Sequence, residues 1–222
     1  MPYLLEVTGD YALFSRPELA VERMSYDVIT PSAARGMLDS IYWHPGIRWS
    51  IERVYVLSPI RFMSIRRNEV TQKALGSSML TAMNGKPSDN YIVTPSVIAQ
   101  RASLVLRDVR YVVKARFDLT ENAAPGDNQG KFSDIIRRRL EKGQFYSMPY
   151  LGCREFPATV TMWEGSEADA QTLARNEHAG ARDLGLMLYD LDYTDTQNIT
   201  PMYFRARLVD GLLNVAGEEV YR

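Results

Sequence analysis

The period of the apolar positions changes several times along the chain, and each change predicts an element. Tyr3 to Val7 is a short run suited to a buried strand, closed by the turn pair Gly9-Asp10. Thr30-Pro31-Ser32 is a helix start, since proline presets φ for the first turn. Ala34, Met37, Leu38 and Ile41 then fall at i, i+3, i+4 and i+7, and His44-Pro45-Gly46 stops the helix. Two β-rich runs, Trp49 to Leu57 and Ile60 to Ile65, flank Ser58-Pro59 and read as one bent strand or a hairpin. Arg66 to Ala102 is polar, rich in Gly, Ser and Asn, and only weakly helical around Gln72 to Met83. It reads as a long insertion between strands.

Clean alternation resumes at Val109, with Tyr111, Val113, Ala115, Phe117 and Leu119 on the same face. Arg110, Lys114 and Arg116 are among the residues opposite, giving a half-buried strand with a cationic face. After a loop at Asn122 to Gly130, Phe132, Ile135, Ile136 and Leu140 form a helical stripe ended by Gly143. A second loop holds Gly152, and Ala158 to Trp163 is the next strand. An acidic, partly helical stretch comes after it (Glu164 to Asp183), then a meander at Leu186 to Leu191, Tyr203 to Leu208 and Leu213 to Val215.

The order β, α, β, insertion, β, α, β predicts an α+β, ferredoxin-like (RRM-like) domain over residues 1–163, with its insertion at 66–102. Residues 164–222 are expected to form an acidic linker and a small C-terminal antiparallel sheet. The aromatic consensus of an ordinary RRM is absent, and no repeat recurs at a fixed period.

Composition narrows the class. With 45% apolar and 24% charged residues in 222, the chain has the makeup of a globular protein, and disordered and collagen-like readings drop out. No apolar run approaches the ~20 residues of a membrane helix, and no basic leader precedes a greasy stretch, so a soluble, unprocessed, cytoplasmic protein is expected. The single Cys153 excludes internal disulfides and fits a reducing compartment. The net charge of -1 hides an asymmetry: residues 48–154 hold 18 Lys and Arg against 9 Asp and Glu, whereas residues 156–222 hold 5 against 11. Such a basic middle segment is the footprint of a phosphate-bearing partner, although many charge runs are solvated faces.

Candidate chemistry is sparse. Two histidines and one cysteine show no metal-ligand spacing, no carboxylate cluster marks a magnesium site, and no Walker or GxGxxG loop offers a cofactor cradle, so neither metal nor cofactor is expected. Arg154 beside Cys153 could lower its pKa, but a buried small hydrophobe explains that cysteine better than a nucleophile. Gly130-Lys131 sits at a helix mouth, where unpaired amides, the helix dipole and a lysine would all meet a phosphate; a solvated turn lysine explains it equally well. Arg137, Arg138 and Arg139 sweep over half of that helix, so at least one must lie near the sheet. Tyr42 falls at the edge of the first helix's apolar stripe, where packing explains most tyrosines, and His44 reads as a turn residue.

The segments GDYALFSRPE (9–18), SYDVITPSAARGMLDSIYWHP (25–45), PIRFMSIRRNEV (59–70), NQGKFSDIIRRRLEKG (128–143) and YLGCREFPA (150–158) together span about half the chain. They are similar to the Cas-five-d (Cas-five-c) subunits of type I-C CRISPR systems, members of the RAMP superfamily. That resemblance implies a RAMP domain with a glycine-rich loop that cuts CRISPR precursor RNA at the base of each repeat hairpin. The implied mechanism is metal-independent attack of the RNA's own 2′-hydroxyl, leaving a 2′,3′-cyclic phosphate and a 5′-hydroxyl. The protein would then stay on the five-prime handle of the mature guide, beside the Cascade backbone and large subunits, reaching target DNA through the complex.

By motif the resemblance carries catalytic roles onto Tyr42, in IYWHP, and Lys131, in NQGK. It departs at Phe132, where some members have histidine. Lys131 and nearby arginines are expected to favour the Tyr42 phenolate. RNA is expected on Arg66, Arg67, Arg110, Lys114, Arg116, Arg137, Arg138, Gly152 and Arg154. The competing reading is a non-catalytic scaffold that caps the handle; a metal-dependent deoxyribonuclease lacks a ligand cluster.

Overall fold

The computed structural model describes residues 2–19, 21–88 and 90–222. Its elements in chain order are β1 (Tyr3–Ala12), β2 (Arg23–Met24), α1 (Pro31–Ile41), β3 (Ile47–Val56), β4 (Phe62–Val70), α2 (Gly76–Met83), β5 (Ile98–Leu119) and α3 (Gln129–Glu141), then β6 (Thr159–Met162), α4 (Glu167–Glu177), β7 (Ala181–Asp192), β8 (Thr200–Val209), β9 (Leu212–Asn214) and β10 (Val220–Tyr221). The central strands run in the order β3-β5-β1-β6, each pair antiparallel. β5 is the organiser, because its 22 residues pair with β1, β2, β3 and β4.

Alternation along β5 divides the core. Tyr111, Val113, Ala115 and Phe117 are buried against Met37, Leu38 and Ile41 of α1 and Phe132 and Ile136 of α3. On the other face Val112 joins Tyr55, Leu57 and the α4 residues Ala170 and Ala174 in a smaller cluster. Two helices therefore cover one face of the sheet and one helix covers part of the other. α4 is held by Glu167, which accepts from Arg53 and Lys114, each at 2.8 Å, and from the Tyr55 hydroxyl at 2.6 Å.

Several sequence expectations are corrected. Gly9-Asp10 does not end β1: the strand continues to Ala12 because Gly9 pairs with Val109 and Tyr11 with Arg107. The runs around Ser58-Pro59 are neither one strand nor a mutual hairpin. β3 pairs with the second half of β5 and β4 with the first half, so the proline lies where the chain passes between partners. The two ends of the insertion at 66–102 pair as the continuation of a β4–β5 ribbon and α2 lies between them, since backbone pairing can form a strand from a polar sequence. The C-terminal strands are continuous with the main sheet, through β9 against β3. Among the described residues no helix is long and apolar enough to cross a membrane.

Candidate active site

The end of α1 is an unusually well-tied helix terminus. Thr30 caps the start, its hydroxyl accepting from the Ala33 amide, and Tyr42 is the C-cap, already in extended conformation. The last carbonyls of a helix lack intrahelical donors, and here tertiary donors supply them. The amides of Tyr146 and Ser147 both reach Ser40 O at 3.0 Å, Arg139 Nη1 donates to Ile41 O, and Trp49 Nε1 donates to Tyr42 O at 3.3 Å. Three separate segments thus fix the backbone that carries Tyr42.

α3 brings the second half. Asn128 is its N-cap and accepts from the Lys131 amide at 2.9 Å, which puts Lys131 in the first turn. The Lys131 ammonium, half exposed, pairs with Asp127 at 2.7 Å, and Asp127 also accepts from the Ala124 amide. The hydrogen bond and charge of Asp127 raise the pKa of Lys131, and the hydrogen bonds from Lys131 and Ala124 lower that of Asp127. Lys131 is a full cation with a resident anion, and a phosphate would compete with a carboxylate for it.

Tyr42 lies between these elements. Its ring is 6.2 Å from that of Phe132, 6.5 Å from and nearly parallel to His44, and covered by the Arg139 guanidinium at 5.0 Å. Its hydroxyl has no hydrogen-bond partner among the described residues. Burial raises the pKa of that hydroxyl; Arg139 and then Lys131 pull it down, and Asp127 pushes it up. Desolvation outweighs the cations, so the expected phenolate gives way to a phenol that keeps its proton at neutral pH. His44 Nδ1 accepts from the Gly46 amide at 3.0 Å, which leaves the hydrogen on Nε2, and its ring lies 5.0 Å from Phe132. Phe132 itself is fully buried, in keeping with the apolar stripe.

The remaining expected contacts divide by partner. Arg110 is paired with Glu6 (2.7 Å), Lys114 with Glu167 (2.8 Å) and Arg116 with Glu52 (3.5 Å), all opposite the core face as alternation requires. Arg67 is engaged by Glu155, Glu69 and the Ser103 hydroxyl. Arg66, Arg137, Arg138 and Arg154 are exposed and have no carboxylate within 4 Å among the described residues. Gly152 has a packing reason: its φ is +83°, and a Cβ there would come within 2.0 Å of Leu13 O. That close approach ties the loop to the chain just beyond β1, and burial raises the adjacent Cys153 thiol, with Arg23 and Arg67 opposing. Among the described residues no group of three His, Cys, Asp or Glu side chains is poised for a metal ion.

Sequence reasoning did not single out Arg139 within its triplet and missed Asp127. Arg139 lies three residues after buried Ile136 and directly before buried Leu140, so the stripe itself marks it as the arginine of the triplet that faces inward. Asp127 carries no comparable signal, because the loop alone turns it back onto Lys131.

The mixed α/β fold with a large antiparallel sheet, and a helix end and helix start converging on Tyr42, define a class that comparison makes specific. The chain belongs to the family of CRISPR-associated proteins (Cas_Cas5), whose model matches residues 3–216. It is 45% identical over 223 residues to a protein of Mannheimia succiniciproducens named CRISPR pre-crRNA endoribonuclease Cas5d, covering 98% of this chain and 97% of that one. A protein of the same name from Thermus thermophilus is 37% identical over 238 residues, covering 98% and 94%. Among solved structures, the fold is similar to one titled crystal structure of CRISPR-associated protein, with a TM-score of 0.70 at 20% identity over 100% of this chain and 97% of the other. It is also similar to a chain of a CRISPR RNA-guided surveillance complex, with a TM-score of 0.53 at 12% identity over 100% and 89%.

Proposed function

We propose that this protein is an endoribonuclease that cuts CRISPR precursor RNA within its repeat and then keeps the five-prime handle as a Cascade subunit. The observation that carries the reading is the convergence of Tyr42, Lys131 and Arg139 between the end of α1 and the start of α3, in a family whose similar members bear that activity in their names. The strand order β3-β5-β1-β6, with α1 and α3 on one face, supports a ferredoxin-like domain beneath the site, with residues 164–222 as its extension.

The site is rich in donors. The 2′-hydroxyl attacks the adjacent phosphorus and releases its proton to solvent, while the 5′-oxygen leaves and takes a proton from the protein. Tyr42, protonated and unpartnered, is placed to supply it, with the His44 Nε2 hydrogen as a second source. Lys131, exchanging Asp127 for phosphate, and the first turn of α3 stabilise the phosphorane charge. The products are a 2′,3′-cyclic phosphate and a 5′-hydroxyl. Arg66, Arg137, Arg138 and Arg154 hold the backbone; Arg67, Arg110, Lys114 and Arg116 join only where phosphate displaces a carboxylate.

Phe132 supports the second reading, a non-cutting cap, because it fills with apolar packing a position where some members of the resembled family have histidine. Incubating purified protein with labelled repeat RNA, with and without chelator, decides between them. Cleavage to a cyclic phosphate without added metal supports the enzyme, and binding without cleavage supports the cap. Assembly is assigned to the β4–β5 ribbon, whose tip exposes Leu80, Met83 and Tyr91. Deleting residues 72–91 should leave cleavage intact and abolish co-purification with the backbone and large subunits.

A further inference from the structure

Beside Tyr42, between the last turns of α1 and the loop after α3, lies an open cavity of about 480 Å³ lined by Gly36, Asp39, Trp43, Arg139, Tyr146 and Arg154, among others. We propose that it holds one unstacked nucleobase of the RNA, from a nucleotide flanking the scissile phosphate. The proposal rests on the endoribonuclease function and adds a substrate subsite to it.

Three observations carry it. First, the cavity adjoins the chemistry: Trp43 is the residue after Tyr42, and Arg139 lines the cavity while covering the Tyr42 ring. A base swung out beside the attacked phosphate can enter this space. Second, the lining has the composition that binds bases. Trp43 and Tyr146 stand 63% and 86% exposed, an unfavourable state for two aromatic rings unless something stacks on them. Arg154, without a carboxylate partner among the described residues, adds a planar cation, and Asp39, whose Oδ2 is bonded to Arg35, leaves Oδ1 as an acceptor for a base edge. The wall is rigid, since the amides of Tyr146 and Ser147 are both bonded to Ser40 O.

Third, the floor is kept clear. Gly36 lies inside α1, where glycine is unfavourable relative to alanine, and the fold does not require it: a Cβ there would meet nothing within 4 Å and its φ is ordinary. The bare position faces the cavity, and a flat, open floor is what a planar base requires.

The test uses the full chain and repeat RNA whose attacking 2′-hydroxyl is replaced by hydrogen, so that it binds without being cut. 2-Aminopurine is placed singly on each side of the scissile phosphate and at two distant control positions. Stacking on Trp43 should quench one flanking position severalfold, and Trp43→Ala should restore it. Gly36→Leu, which has room at its Cβ, should fold, abolish that quench and slow cleavage of ordinary RNA at least tenfold, with overall affinity changed less than threefold. An abasic nucleotide at the quenched position should make cleavage insensitive to both substitutions.

Equal effects of Trp43→Ala on abasic and ordinary RNA would overturn the proposal, as would unchanged fluorescence at both flanking positions. If fluorescence is unchanged but Trp43→Ala abolishes co-purification with other subunits, the cavity takes a protein and the nucleobase assignment is wrong. The quench is read on uncut RNA, so a protein that quenches but never cleaves would overturn the endoribonuclease reading while leaving the base site standing.

Discussion

The two faces of the central sheet treat positive charge in opposite ways. On the face partly covered by α4, Arg110, Lys114 and Arg116 each meet a carboxylate from a neighbouring element, and Glu167 alone gathers Arg53, Tyr55 and Lys114. On the face carrying α1 and α3, Arg137 and Arg138 are exposed without such partners among the described residues, Arg154 extends from the loop beside them, and Arg139 is turned inward over Tyr42. One face spends its cations on carboxylates of its own strands and of α4. The other leaves them exposed. The excess of basic residues in the middle of the chain is therefore an overestimate of what a phosphate meets, because the acidic C-terminal segment folds back over part of it through Glu167.

The sharpest way to break this comparison is to remove groups from the α1–α3 face and look for loss of chemistry without loss of fold. Tyr42→Phe and Lys131→Ala should each slow single-turnover cleavage by about 10² to 10⁴-fold, or roughly 3 to 5 kcal/mol of barrier. RNA affinity should change far less. A Tyr42→Phe protein that cuts at the wild-type rate would reduce Tyr42 to a packing residue and leave His44 as the proton donor.

Next in size is a change at Gly152, which tells packing from RNA contact on the same face. Gly152→Ala forces a Cβ against Leu13 O at a positive φ, so thermal or denaturant unfolding should show a loss of about 2 to 3 kcal/mol. Full stability with weakened RNA binding would instead make this glycine a contact for the ligand.

The α4 face should respond in stability and pH dependence. Burial alone would raise the Glu167 carboxyl, but hydrogen bonds from Lys114, Tyr55 and Arg53 hold it down to about 2, against an ordinary 4.5. Its folded pKa is depressed, so its contribution is complete above about pH 4.5 and fades as pH falls toward 2. Partial exposure screens the effect to roughly 1 kcal/mol. Glu167→Gln should lower stability by about that much at pH 7, flatten the acid limb between pH 5 and 2, and leave cleavage unchanged. A pH-independent loss would mean that shape, not charge, holds α4.

The smallest expected effects are in salt dependence. Replacing Arg137, Arg138 or Arg154 with alanine should each reduce the slope of log affinity against log salt by about 0.7, and Lys114→Ala should leave the slope near its wild-type value. Equal losses on both faces would erase the contrast. The rate profile adds a last refinement: release of the 2′-hydroxyl proton to solvent requires cleavage to rise with pH through neutrality and fall only where Tyr42 ionises, above its ordinary value near 10.

Much of the frame was legible without coordinates. Helix α1 is implied by Thr30-Pro31 and the spacing of Ala34, Met37, Leu38 and Ile41. The face of β5 is implied by strict alternation, and the start of α3 by Asn128 and its apolar stripe. These are local properties, written in periods of two and 3.6 residues and in caps that reach three positions. They also placed Tyr42 and Lys131 at the end of one helix and the mouth of another.

Local pattern could not decide anything that depends on partners distant in sequence. Gly9-Asp10 reads as a turn and is strand because β5 lies beside it; Arg66 to Ala102 reads as an insertion and its two ends are strand for the same reason. The sign of the Tyr42 shift, the capture of Lys114 by a carboxylate 53 residues away, and the choice of Arg139 over its neighbours arise from burial and long-range pairing. Sequence by itself determined which side chains stand on each face. Tertiary structure decided which of those charges remain free, because a charge is neutralised by its neighbours in space and not by its neighbours along the chain.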